Sequence, residues 1–219
     1  MSMRYDRIFG LFIVFVMVGS IAGIAVYNTD DQPENQQNPL INDENSFEVN
    51  GFYFYEDTSV DAYVALVTDE QGNALNVPFR TDPRNVSHIT IETTALDSLV
   101  NAQKVYFTFD PNSDAFDTYK NQFSLSLSEV GRLIPRVNFY QVAPMTALTA
   151  DIPNDTSDDE IPIKTCADAT PTAPVVLFTI GQGNAVKMDG ACIVISGADG
   201  DELIAVSDKF GMWLMGLTV

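Results

Sequence analysis

The chain has 219 residues, 46% of them hydrophobic, and a formal net charge of −19 at pH 7, a balance that repels nucleic acid and anionic lipid headgroups. Two cysteines and one histidine are too few for a zinc site unless carboxylates join them, and no Cys-x-x-Cys redox spacing occurs. No cofactor is expected.

Residues 1–7 carry Arg4 and Arg7, and residues 8–26 follow as nineteen residues without a charge, long enough to cross a bilayer as a helix. Asp30, Asp31 and Glu34 come next and no Lys or Arg appears until Arg80. The positive-inside bias therefore predicts a cytoplasmic N-terminus, a membrane anchor over 8–27 and an extracytoplasmic remainder. A cleaved secretory signal is the rival reading, because Gly23-Ile24-Ala25 resembles a small-residue cleavage site. A signal core is typically about 7–15 residues, so the length of the run favours the anchor. Gly19 and Gly23 form a small-xxx-small pair that either serves a homodimer of such helices or is ordinary membrane-helix composition.

Without Asp6, Arg4 and Arg7 the exported part carries about −20, a surface that either is simply solvated or collects divalent cations. Residues 28–46 are almost wholly Asn, Asp, Gln, Glu and Pro and read as a disordered tether, with an average span on the order of 25 Å. About 170 residues, 47–219, remain for one extracytoplasmic α+β domain. Its expected architecture is a mixed or antiparallel sheet with two central helices and a C-terminal helix packed on the sheet.

From Phe47 the pattern is strand-like. Tyr63–Val67 and Ala74–Phe79 flank the turn-rich 69–73 and predict a hairpin. Asp82 is placed to cap a short helical turn begun by Pro83. His88–Ile91 reads as extended, Thr94–Gln103 as a helix burying Leu96, Leu99 and Val100, and Lys104–Phe109 as an alternating strand. A loop at 110–114 precedes a second helix over Ser126–Ile134, stopped by Pro135, and Phe139–Leu148 looks extended. Residues 150–174 form a loop too long for a simple connector, expected to be mobile except where Cys166 pins it.

Val175–Ile180, Ala185–Met188 and Cys192–Ser196 predict three strands, with Gly181-Gln182-Gly183-Asn184 as a hairpin turn between the first two. A closing helix is expected from Asp201 to the end, placing Leu203, Val206, Phe210, Trp213, Leu214 and Leu217 on its buried stripe. Its last turn either completes the core or forms a protein contact.

Cys166 and Cys192, 26 residues apart, read as one disulfide, with free buried thiols as the alternative. Arg80, Asp82 and Arg84 concentrate two scarce cations around one carboxylate. They predict either an ion-pair brace or a grip on an anionic ligand. Asp110, Asn112 and Asp114 begin like a calcium loop, but Ala115 and Asn121 stand where the turn glycine and the bidentate Glu belong. A surface turn is the better reading. Asp199–Glu202 is explained by helix capping. His88 is the histidine that any Ser-His-Asp or Cys-His arrangement would have to use.

The stretches Pro78–Arg84, Lys104–Pro111, Gly190–Gly197 and Ser207–Phe210 through Gly216 resemble an uncharacterised group of single-pass archaeal envelope proteins, often encoded in small genomes. That resemblance implies an archaeal envelope protein and brings no catalytic residue with it. In such a setting Asn85-Val86-Ser87 and Asn154-Asp155-Thr156 are N-glycosylation acceptor sequences. The expected role is a non-enzymatic accessory or interaction module with an envelope protein as partner. The competing class is an exported hydrolase that uses carboxylates or a metal.

Overall fold

The computed structural model describes residues 45–68, 74–137, 144–152 and 161–219. The expected span 8–26, the Gly19/Gly23 pair, most of the tether and Asn154 lie outside these. Among the described residues no helix is long and apolar enough to cross a membrane.

The fold is α+β, built from two sheets rather than the one expected. Strands β1 (Ser46–Val49), β2 (Phe52–Asp57), β3 (Ala62–Thr68) and β4 (Ala74–Phe79) form an antiparallel meander in sequence order. β3 and β4 pair as the hairpin around 69–73 predicted. The tether boundary falls slightly late, since Ser46 already pairs with Tyr55.

The second sheet is mixed. It contains β5 (Thr90–Ile91), β6 (Val105–Thr108), β7 (Pro144–Thr146), β8 (Val175–Ile180), β9 (Ala185–Asp189) and β10 (Cys192–Gly197), in the order β5-β9-β10-β8-β6-β7. β7, β6, β8 and β10 are mutually parallel, and β9 is antiparallel to β10. β10 therefore lies between β8 and β9, and Gly181–Asn184 is not a hairpin turn. It bridges two non-adjacent strands across the end of β10, where the Gly181 N–H donates to the Gly197 carbonyl at 2.9 Å.

Helix α1 (Ala95–Val100) is shorter than predicted. It buries Ala95 and Leu99 but leaves Val100 40% exposed. Helix α2 runs from Asp114 to Val137 with a break at Tyr119, twelve residues longer at its start than the sequence reading. The Ser113 hydroxyl accepts from the Phe116 N–H at 3.1 Å, an N-cap that opens the helix. Pro135 lies inside α2 rather than stopping it. In the last turn its missing N–H deprives only the Gly131 carbonyl of a partner, a loss a helix end tolerates.

Helix α3 (Gly200–Leu214) is capped by Asp199, which accepts from the Glu202 N–H at 2.9 Å. It ends five residues before the C-terminus, earlier than expected. Gly216 takes the left-handed conformation (φ 78°), and the Leu217 and Gly216 N–H groups close back on Met212 and Trp213 at 2.8 and 3.0 Å, a Schellman stop.

Both long helices lie between the sheets. On one side, α2 packs against Phe107 of β6, 3.3 Å from a Cβ built at Gly131, and the start of α3 closes onto the end of β10 at Gly197. On the other, Arg132 of α2 lies over Phe79 of β4, and Asp208 of α3 accepts from the Arg80 and Thr81 N–H groups at 2.9 and 2.6 Å. The C-terminal helix thus packs on the sheet of residues 175–196 as predicted. Its fully buried apolar side chains are Leu203, Val206, Phe210 and Met212, while Trp213 is only half-buried.

The Cys166–Cys192 disulfide is present, with Cα atoms 5.1 Å apart, and ties the segment after residue 160 to the central strand β10. That segment is not a loop held at one point. Leu148 and Lys164 exchange backbone bonds with Pro162 and Leu148 at 3.0 and 2.8 Å, and Gln103 donates to the Thr172 carbonyl at 2.7 Å.

Candidate functional site

The parallel arrangement brings the carboxyl ends of β8 and β10 to the N-terminus of α3, and three side chains from distant parts of the chain meet there. Open α/β sheets place ligand sites at such strand ends. Asn184, on the bridge after β8, accepts from the Ala198 N–H through Oδ1 at 2.8 Å, which orients its amide nitrogen toward Glu202 Oε2 at 2.6 Å. His88, from the loop before β5, places Nε2 3.4 Å from the same oxygen and 3.3 Å from the Asn184 nitrogen.

Nε2 of a neutral His88 can donate to Glu202 Oε2 or accept from the Asn184 nitrogen, according to which ring nitrogen carries the proton. The imidazole is 52% exposed and the Glu202 side chain 34% exposed, open enough for a ligand to reach both. Among the described residues the hydrogen bonds of the pair join it to Asn184 and not to a hydroxyl or thiol. An imidazole–carboxylate pair can accept a proton from, or hydrogen-bond to, a bound polar group.

The geometry behind this meeting is the turn from β10 into α3. A Cβ at Gly197 would lie 2.6 Å from Leu203 Cα, and one at Gly200 would lie 2.6 Å from the Tyr119 ring. Only glycine lets strand, α2 and α3 converge so closely.

The Arg80, Asp82 and Arg84 group is joined in two of its three members. Arg84 Nε and Nη2 donate to the Asp82 oxygens at 2.8 and 2.7 Å, and the guanidinium lies 4.1 Å above the Phe47 ring. Asp82 caps the turn Pro83–Asn85 by accepting from the Arg84 N–H. Burial pushes the Asp82 carboxyl up, but the Arg84 bonds outweigh it and hold the group below its usual value. The Arg80 side chain is exposed and enters no ion pair among the described residues.

Asp110 accepts from the Asn112 N–H, and Asn112 donates to the Asp151 carbonyl. Among the described residues no group of three or more His, Cys, Asp or Glu is placed to hold a metal ion. Asn85 lies exposed in its short turn.

The sequence reading passed over Glu129, Arg132 and Asp208. Their signal was an acid in the apolar stripe of α3 between Val206 and Phe210. Comparison of the chain with protein-family models, with curated proteins and with solved structures finds no match.

Proposed function

We propose that the chain is a membrane-anchored, extracytoplasmic module of the cell envelope with an accessory or protein-interaction role. The observation that carries the exterior location is the Cys166–Cys192 bridge, because disulfides persist outside the reducing cytosol. It agrees with the uncharged run at 8–26 and the charge asymmetry around it. The anchor holds the module on the membrane, the Gly19/Gly23 face offers a homodimer contact, and the acidic surface turns nucleic acid away. A reporter fused after Val219 should score as external and one before Arg4 as cytoplasmic. A cytoplasmic C-terminus would overturn the location, and impermeant cross-linking on intact cells that captures neither a second copy nor an envelope protein would overturn the role.

A second reading, the exported carboxylate- or metal-dependent hydrolase, is favoured by the His88–Glu202 pair at the strand ends. It requires the full chain in detergent to hydrolyse ester, amide or glycoside probes, with or without added divalent cations. His88→Ala and Glu202→Gln must each abolish that turnover, and equal turnover in wild type and variants would dismiss the reading.

A further inference from the structure

The junction between the four-stranded sheet and the helices encloses three ionisable side chains. Asp208 of α3 has no exposure to solvent, and Glu129 of α2 is nearly as buried. One Asp208 oxygen accepts from the Arg80 and Thr81 N–H groups beyond β4, while Oδ1 is buried without a partner among the described residues. The cation between the layers, Arg132, is already committed. It donates to Glu129 and to the Pro78 carbonyl of β4, and its plane lies over Phe79. Facing this junction are therefore Glu129 and Arg132 from α2 and Asp208 from α3. Arg80 turns its side chain outward, Asp82 is bound by Arg84, and Lys209 donates to the Val219 carbonyl.

Two carboxylates against one guanidinium would leave an uncompensated charge in an apolar interior, a state that a bound proton relieves at far lower cost. We propose that Asp208 carries that proton and acts as a latch, seating the four-stranded sheet on the helices while protonated and loosening it when the proton leaves. The protonated acid still accepts both backbone bonds through Oδ2, and the hydroxyl at Oδ1 removes the unpaired charge. Burial, reinforced by the Glu129 charge, pushes the Asp208 carboxyl up to about 8.

The sign follows from that direction. The folded state keeps a proton that the unfolded chain gives up at its ordinary carboxylate value, so the latch stabilises fully below about pH 4 and weakens as pH rises to about 8. In an exported domain the pH that sets the latch is that of the surroundings.

Hydrogen exchange of the full chain in detergent, corrected for intrinsic exchange chemistry, tests this. Protection of β2–β4 amides such as Phe54, Ala65 and Val77 should fall up to about 100-fold between pH 6 and pH 8, tenfold per unit. Asp208→Asn should remove that dependence. Flat wild-type protection, or an unchanged slope in Asp208→Asn, overturns the latch. Should Asp208→Asn fail to fold, Glu129→Gln decides. It frees Arg132 to face Asp208 and must lower the midpoint by at least about one pH unit, and an unmoved midpoint overturns the proposal. Carboxyl carbon NMR gives a direct reading, in which the absence of any aspartate titrating above pH 6 overturns it as well.

Discussion

Replacing Phe210 by Ala probes how much of the domain hangs on its closing helix. The ring is fully buried and stacks on Trp213 with centroids 5.9 Å apart. A buried phenylalanine removes on the order of 175 Å² of apolar surface from water, worth about 4 kcal/mol at 25 cal/mol per Å². The cavity and the lost stacking keep the expected loss near the top of the usual 3–5 kcal/mol. A domain holds about 5–15 kcal/mol in total, so Phe210→Ala should lower the melting midpoint by about 10–15 °C. Circular dichroism melts and urea titrations of the full chain in detergent measure it. Val60→Ala, at an exposed position, should change stability by less than about 0.5 kcal/mol. Removing residues 210–219 takes Met212, Leu214 and Leu217 as well, all buried, and should leave no folded domain. A loss below about 1 kcal/mol for Phe210→Ala would refute the assignment of this face to the core.

The paired substitution Cys166→Ala with Cys192→Ala should cost about 3.5 kcal/mol, the chain-entropy value for a loop of this length. Alkylation of unreduced protein should label no thiol, and two labels would contradict the bridge. Gly197→Ala forces a Cβ against the Leu203 backbone and should destabilise by about 3 kcal/mol or more. Gly181→Ala, where nothing lies within 4 Å, should cost only the strain of its positive φ, about 1 kcal/mol. Asp82→Ala should cost about 1–2 kcal/mol at neutral pH by removing a cap and an ion pair. Because the folded Asp82 value is depressed, that contribution is present above the ordinary carboxylate value and lost as pH falls through the folded one. Wild type and variant should therefore converge in urea titrations as the pH falls below the ordinary carboxylate value and through the depressed folded one.

The elements legible in the sequence are those whose signal is local. Strand alternation at Val105 and Phe107, the Asp82-Pro83 cap and the three strands after residue 174 all emerge from neighbouring residues, and the structure contains each. The start of α2 is also local: Phe116, Phe123, Leu127, Val130 and Ile134 keep helical spacing and are buried, but the acidic turn before them has the composition of a loop. What could not be read was strand order. Nothing near Gly181 announces that β10 inserts between the strands on either side of it. The candidate site is hidden for the same reason, since His88 and Glu202 are 114 positions apart and meet only once the sheet order is set.

In a chain of net charge −19 with eleven basic residues, the position of each cation is informative. Arg84 lies over Phe47 while gripping Asp82, Arg132 over Phe79 while holding Glu129 and the Pro78 carbonyl, Lys164 over Tyr106, and Lys120 over Phe116 beside Asp117. Arg84, Arg132 and Lys164 reach rings elsewhere in the fold and act as pins across it, while Lys120 reaches a ring one turn back in its own helix. An aromatic face attracts a cation without adding negative charge, which matters where carboxylates are already in excess. Arg84 is thereby engaged by Asp82 and Phe47, while the exposed Arg80 enters no ion pair among the described residues. Among the described residues these four cations are thus held within the fold, each against an aromatic ring.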